Sequence, residues 1–123
     1  MSKYRAVRTN GYASKAEAMR ASELHLLQKA GAIANLREQV AFELLPKFGK
    51  QRALVYVADF QYNPIENGIT QKTVVEDVKG FRTPVYKLKK RLMAQLLGIT
   101  ITETGSTESH PRPTRYGKLD TAF

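Results

Sequence analysis

Two acids and a lysine stand in apolar segments of the chain at spacings that could support hydrolysis of a phosphodiester bond. Asp77 and Lys79 form an acid-x-lysine triplet in a Val-rich run, and Asp59 lies near the end of an earlier run of Val, Tyr and Phe. In an extended strand alternate side chains share a face, so Asp77 and Lys79 point the same way, about 7 Å apart, while Glu76 points away. This pattern is typical of a metal-dependent nuclease site.

A hard cation such as Mg²⁺ takes oxygen ligands, and usually only one or two protein carboxylates, which leaves positions for water and phosphate. Asp59 and Asp77 could supply those ligands, and Lys79 could orient or help to deprotonate the attacking water, or stabilise charge on the phosphate. The charged solvent face of a hairpin would give the same residues without chemistry. Carboxylates inside apolar runs are costly to bury alone, however. Spacing leaves both interpretations open.

A third acid, Glu17, is in the first turn of a helix that we predict from Lys15 to Ala30. Ser14 is a favourable N-cap and Gly31 a favourable stop. The segment from Ser14 to Glu17 fits a capping box, in which the carboxylate returns to the backbone N–H of the cap. Glu17 also belongs to the predicted buried stripe of this helix, with Ala21, Leu24 and Leu27. From that stripe its carboxylate could reach a metal held by the strands.

Six short segments, in order along the chain, carry a resemblance to a known family. They are Ser14–Ala18, Leu24 with Leu27, Ala30–Gly31 with Ile33, Gln39 with Phe42–Leu44, Tyr56–Phe60, and Val75–Gly80. The chain resembles a phage and prophage family of small proteins labelled as a domain of unknown function. That family is placed in the PD-(D/E)XK nuclease superfamily, and the resemblance spans about Lys3 to Ile101.

The resemblance implies a Mg²⁺-dependent DNA endonuclease, with Mn²⁺ as a substitute, that leaves a 5′-phosphate. The catalytic residues would be Glu17, Asp59, Asp77 and Lys79, with the three acids as metal ligands. Phage junction-resolving endonucleases share the helix-borne glutamate, so the substrate could be a Holliday junction or other branched DNA. The implied fold is α/β with a restriction-endonuclease-like core: a helix, a three-stranded antiparallel meander, a second helix and a short edge strand.

The chain departs from the superfamily pattern at two positions. Ala58, not proline, precedes Asp59, which leaves the ligand itself in place. Asp77 replaces the commoner glutamate, and Glu76 stands beside it. Because a β-bulge could exchange the directions of the two side chains, Glu76 is a reserve candidate for the metal.

Charge and composition favour a nucleic-acid partner. The 123 residues suit one domain, and 20 basic against 11 acidic residues give a net charge of +9, which attracts a polyanion such as DNA. Membrane surfaces or acidic proteins stay possible partners from charge alone. Without cysteine, disulfides and thiolate zinc sites are excluded, and His25 and His110 lack ligand spacing. No transmembrane run or secretory signal is evident, so we expect a cytoplasmic protein. The resemblance implies a phage protein in a bacterial host cell.

Local patterns divide the chain into residues 1–12, a basic arm; 13–102, the nuclease-like domain; and 103–123, a disordered basic tail. Strands are predicted at Gln39–Leu45, Arg52–Tyr62 and Thr73–Lys79, with an edge strand at Ile99–Ile101. A second helix, capped by Thr83, is predicted to run to Leu97. Its apolar stripe is Val85, Leu88, Leu92 and Leu96. Gln39 is interpreted as a surface amide.

Basic residues on the arm and the two helices are the predicted contacts to the phosphate backbone. They are Lys3, Arg5, Arg8, Lys15, Arg82, Lys87, Lys90 and Arg91. A junction resolvase makes paired cuts, which favours a homodimer, although no interface can be recognised in the sequence. The alternative function is a DNA-binding accessory protein that keeps the nuclease fold without cleaving. Clustered carboxylates argue against it, because they repel phosphate.

Overall fold

The computed structural model describes residues 11–79 and 82–104 and has a mixed α/β fold. Its elements are α1 (Lys15–Lys29), β1 (Ile33–Leu45), β2 (Leu54–Glu66), β3 (Ile69–Thr70), β4 (Val74–Val78), α2 (Pro84–Leu92) and β5 (Ile101–Thr104). A π-helical turn, Met93–Leu97, continues α2. The five strands form one sheet in the order β1-β2-β4-β5, and β3 pairs with β2. The α/β expectation is confirmed at this level.

The first helix begins and ends where the sequence predicts. The Ser14 side chain accepts a hydrogen bond from the Glu17 backbone N–H at 3.1 Å, and Gly31 follows the C-cap with a left-handed φ of 86°. Its buried residues are Glu17, Ala18, Ala21 and Leu24. Leu27, predicted to be on the buried stripe, is 38% exposed, so the stripe ends one turn earlier than expected.

A long antiparallel hairpin, β1 with β2, forms the main part of the sheet. Both strands have 13 residues and are longer than predicted. A bulge between Ala34 and Arg37, with Asn35 at a φ of 55°, lets β1 begin at Ile33. At the other end β2 continues through the predicted loop to Glu66. The turn into β3 is Asn67-Gly68, where both residues have positive φ, as a tight hairpin requires.

The antiparallel meander is completed by β4, and β5 is added at its edge. Phe60 of β2 is opposite Glu76 of β4, and β5 runs parallel to β4 with Thr102 beside Glu76. The parallel pairing is possible because α2 crosses over between the two strands. The predicted bounds of the edge strand, Ile99–Ile101, are wrong. The strand starts at Ile101 and extends to Thr104, two residues past the predicted end of the domain.

Two clusters of buried side chains join the helices to the sheet. Under α1, Ala21 and Leu24 pack with Ile33, Phe60 and Tyr62. Under α2 and its π-helical turn, Tyr86 and Met93 pack with a larger set, Leu44, Tyr56, Ala58, Val75 and Ile101. Because β2 contributes to both clusters, Asp59 lies on the strand at the boundary between them.

The predicted inner face of α2 is wrong. Thr83 caps the helix and Gly98 ends it, as expected, but Val85 is 60% exposed, Leu88 52% and Leu96 49%. Tyr86 and Met93, seven positions apart and therefore on one face, are buried instead. The prediction placed the aliphatic side chains inside. The structure instead buries Tyr86, whose ring covers a large area and whose hydroxyl is hydrogen-bonded.

The described residues contain no helix long and apolar enough to cross a membrane. Several expectations concern residues outside the described ranges. They concern the basic arm, the junction between β4 and α2, and most of the tail. The residues are Lys3, Arg5, Arg8, Gly80 and His110.

Candidate active site

Asp59 and Asp77 meet where β2 and β4 stop pairing. The last paired residues on this side are Phe60 and Glu76, and one step further Asp59 turns its carboxylate toward β4. Its Oδ2 accepts a hydrogen bond from the Val78 backbone N–H at 2.8 Å. The Asp59 side chain therefore takes the place of a backbone acceptor in the hydrogen-bond ladder between β2 and β4 at this point. The register that the sequence left undetermined brings the two acids together.

Asp77 is an almost fully buried carboxyl, 2% exposed, with a perturbed pKa. Burial raises the pKa to about 7, helped by a hydrogen bond to Asp59 and by the charge of Asp59. Against this, the Tyr56 hydroxyl donates to Asp77 Oδ2, and the charge of Lys79 favours the ionised form. A bound cation would offset the repulsion between the two carboxylates and favour the ionised form of Asp77.

Lys79 lies beside this pair, as the acid-x-lysine spacing predicts. Its Nζ is 3.6 Å from Asp77 Oδ2 and 4.5 Å from the centre of the Tyr86 ring. The ring is fixed in turn, because the Tyr86 hydroxyl donates to Glu103 Oε2 at 2.7 Å. The ammonium is therefore held between a carboxylate and an aromatic face, with the side chain still 26% exposed. It could act on a group that approaches from solvent.

Glu17 reaches the same region from α1. It is 7% exposed, and burial, then the charges of Asp59 and Glu38, raise its pKa. The Gln39 side chain donates to Glu17 Oε2 at 3.2 Å. Glu17, Gln39 and Asp59 line a cleft of about 390 Å³, whose remaining lining residues are Gly11, Tyr12 and Ala13. The helix-borne acid thus shares a cleft with the second-strand acid.

Gln39 is the site residue that sequence reasoning missed. Gln39 is exposed, as its interpretation as a surface amide expects, but the pairs Glu38 with Phe60 and Val40 with Ala58 also put it opposite Asp59. Its φ is 53°, a left-handed conformation that non-glycine residues rarely adopt and that often marks functional sites. The family resemblance was the only sequence signal for it, since strand periodicity says nothing about a strained backbone.

Glu76, the reserve metal ligand, is held in a network away from Asp77. Arg20 donates to it from Nε at 2.5 Å and from Nη2 at 3.0 Å, and Tyr62 and Thr104 donate at 2.6 and 2.7 Å. Burial favours the neutral acid, but these hydrogen bonds prevail and hold the Glu76 pKa below its usual value. Both oxygens are engaged, so Glu76 ties α1 and β5 to β4.

The predicted phosphate-binding residues have different surroundings. Lys15, Lys87 and Arg91 are exposed. Arg82 and Lys90 instead form ion pairs with Glu103, at 2.7 and 3.0 Å. Because Glu103 already balances part of their charge, these two connect α2 to β5 and are less available to DNA than predicted.

The site consists of two carboxylates in contact and a third acid nearby, and the three do not surround one common point. Within residues 11–79 and 82–104, no three His, Cys, Asp or Glu side chains are close enough to form a metal site. Asp59 and Asp77 are in contact, and Glu17 is beside Asp59. Two carboxylates are sufficient for Mg²⁺, which keeps waters as its remaining ligands. The donor set therefore fits a hard divalent cation.

Comparison with known families gives one match. A model of the family described as "Protein of unknown function (DUF1064)" matches residues 1–102. The match covers most of the 123 residues, and the chain belongs to this family. Comparison with curated proteins and with solved structures gives no match. The family description supplies no activity, so a function has to be argued from the site.

Proposed function

We propose that this member of the DUF1064 family is a Mg²⁺-dependent DNA endonuclease with a PD-(D/E)XK-like core. The observation that carries the proposal is the contact between Asp59 and Asp77, with Lys79 Nζ 3.6 Å from Asp77 Oδ2. A buried carboxyl, Asp77, in contact with the half-buried carboxylate of Asp59 destabilises a fold unless something neutralises the pair. Their persistence beside a partly exposed lysine is typical of a site that binds a cation and phosphate.

Asp59 and Asp77 would hold the metal, and Glu17, on the same cleft as Asp59, is the third candidate ligand. Mn²⁺ would substitute, since it also prefers oxygen donors. When bound, the ion would polarise the scissile phosphate, lower the pKa of a water and neutralise the leaving oxygen.

The protein's own groups have separate tasks in this proposal. Lys79 would orient the attacking water or stabilise charge on a phosphate oxygen, because its ammonium lies between Asp77 and solvent. Tyr56 fixes the orientation of the Asp77 carboxylate through its hydroxyl. Gln39 holds the Glu17 carboxylate in the cleft. Each is a positioning or charge-stabilising role that needs no movement of the sheet.

DNA would be attracted by the net charge of +9, with Lys15, Lys87 and Arg91 as exposed contacts among the described residues. Contacts of this kind give affinity without sequence information. Branched DNA is the favoured substrate through the resemblance to junction-resolving endonucleases. Paired cutting would then call for two copies of the chain.

A second candidate is a DNA-binding accessory protein with little or no cleavage. One observation favours it: the described residues contain no group of three metal-ligating side chains. Such a protein would gain nothing from paired carboxylates near its DNA surface, because they repel phosphate. Asp59 and Asp77 therefore keep the nuclease as the better-supported function.

The test is incubation of the full chain with four-way junction, nicked, duplex and single-stranded DNA, in Mg²⁺, Mn²⁺ or EDTA. Asp77→Ala and the exposed-strand control Glu43→Gln are purified in parallel, which exposes any contaminating nuclease. We expect metal-dependent cutting by the wild type and by Glu43→Gln, and none by Asp77→Ala. Binding without cutting in both metals leaves the accessory protein as the function.

A further inference from the structure

One side of α2 exposes aliphatic side chains that a folded domain usually buries. Val85 is 60% exposed, Leu88 52%, and Leu96 of the π-helical turn 49%. The helix is anchored to the sheet by Tyr86 and Met93, which are 7% and 0% exposed. On the aliphatic side only Leu92 is half-buried against this core, so Val85, Leu88 and Leu96 are the side chains left exposed.

These side chains form a stripe along the helix. At about 100° per residue, Val85, Leu88 and Leu92 fall within roughly 60° of one another, and Leu96 follows them in the π-helical turn. Spacing of i, i+3 and i+7 is the pattern by which one helix presents an apolar face to another. The stripe therefore has the length and shape of a site for a short helix.

The stripe is bordered by positive charge. The segment Pro84–Leu97 contains four basic residues and no acidic one. Lys90 is paired with Glu103, but Lys87 and Arg91 are exposed next to the stripe. Lys87 and Arg91 are four positions apart, where like charges on a helix are mildly unfavourable. A partner with carboxylates at this border would remove that repulsion.

We infer that the stripe and its basic border dock an acidic amphipathic helix of another protein. The apolar side chains of that helix would cover Val85, Leu88, Leu92 and Leu96, and its carboxylates would pair with Lys87 and Arg91. This inference uses no residue of the carboxylate site, but it shares Lys87 and Arg91 with the proposed DNA contacts, so the partner helix and DNA would compete for these two side chains. It assigns a protein-interaction surface to the face of α2 that the domain leaves uncovered.

Charge and geometry argue against the other occupants. A second copy would bring Lys87 and Arg91 against their own counterparts, and duplex DNA would offer phosphates but little apolar surface for the stripe. A lipid surface would need the apolar stripe to face away from the domain. Arg91 takes that direction instead, because it lies roughly 160° around the helix from the buried Met93.

The probe is a synthetic, fluorescently labelled peptide of about 18 residues, long enough for a marginal helix, with leucines at i, i+3 and i+7 spacing and glutamates on the flanks. Its control has the same composition with the leucines scrambled. Affinity for the full-length chain is measured by fluorescence anisotropy. We expect the ordered peptide to bind at least about 10-fold tighter than the scrambled one, a difference of about 1.4 kcal/mol.

Leu88→Glu should abolish that preference, because it places a like charge under the peptide. The matched control is Met19→Glu, which makes the same charge change at an exposed apolar residue of α1, 62% exposed, and should keep the preference. Melting temperatures of both variants confirm folding, which is expected because neither side chain is buried.

Four results would each overturn the inference. Equal affinity for the two peptides would mean attraction by charge alone. A wild-type dimer in light scattering that Leu88→Glu dissociates would assign the stripe to a second copy. Cosedimentation with anionic vesicles that Leu88→Glu abolishes would assign it to lipid. Weaker binding of duplex DNA by the uncharged variant Leu88→Ala than by the wild type would make the stripe part of a DNA surface.

Discussion

Asp59 and Asp77 are in contact one step beyond the last β2–β4 pair, Phe60 with Glu76. The contact follows from two features of the backbone: the register of the antiparallel pair and the hydrogen bond by which Asp59 takes the Val78 N–H from the ladder. It gives the domain a pair of acids, Asp77 buried and Asp59 half-buried, with Lys79 Nζ 3.6 Å from Asp77 Oδ2.

Asp77→Asn should stabilise the protein at alkaline pH while removing cleavage. The folded pKa of Asp77, about 7, lies above its ordinary value of 3.8, so the ionised group costs stability, with the cost absent below pH 3.8 and complete above pH 7. Asparagine removes this cost. We expect a gain on the order of 1 kcal/mol at pH 8 and almost none at pH 3, measured by thermal unfolding. An equal change at both pH values would contradict the raised pKa.

Mg²⁺ should raise the melting temperature more at pH 8 than at pH 5.5. Binding must displace the proton that the raised pKa keeps on Asp77, so affinity should fall by up to about 10-fold per pH unit below pH 7. Thermal unfolding over a Mg²⁺ titration at both pH values measures the effect. Asp59→Asn should abolish it, whereas a Mg²⁺ effect that survives in this variant would place the ion elsewhere.

Gln39→Gly and Gln39→Ala should differ in stability but not in activity. Both lose the hydrogen bond to Glu17, but only glycine relieves the left-handed φ of 53°. We therefore expect the glycine variant to be more stable than the alanine variant by about 1 kcal/mol in chemical denaturation. Both should cleave more slowly than wild type. If either keeps full cleavage, the amide has no role in positioning Glu17.

Glu76→Gln should weaken the fold and leave metal binding intact. Glu76 is fully buried and paired with Arg20, and loss of one partner of such a pair costs about 3 kcal/mol. Denaturant unfolding measures the loss. Mn²⁺ affinity of the folded variant, followed by electron paramagnetic resonance, should match that of wild type. A large drop in Mn²⁺ affinity would return Glu76 to the set of ligands.

Local signals were sufficient for the elements of this fold. Ser14 and Thr83 cap their helices, Gly31 and Gly98 end them, and the alternation along β1 buries Val40 and Leu44. Strand lengths were underestimated, because the bulge at Asn35 and the pairing beyond Tyr62 depend on the partner strand. The inner face of α2 was misassigned for a similar reason, since the sheet selects which face is buried.

For the candidate site, residue types and spacing were enough to predict that Asp77 and Lys79 share a face and that Glu76 points away. The contact between Asp59 and Asp77 could not be predicted, because it depends on the register of the β2–β4 pair. The sequence of either strand alone does not determine that register. Gln39 escaped detection because its left-handed backbone and its place opposite Asp59 are properties of the paired hairpin.

The most direct test of the nuclease is the rate of DNA cleavage by the wild type, Asp59→Asn, Lys79→Met and the exposed control Glu43→Gln, on one substrate with Mg²⁺. We predict that Asp59→Asn and Lys79→Met each lose at least about 100-fold in rate, while Glu43→Gln stays within about 2-fold of wild type. Cleavage that persists in both site variants, or that is absent from the wild type with Mg²⁺ and Mn²⁺, would contradict a nuclease built on the Asp59–Asp77 contact.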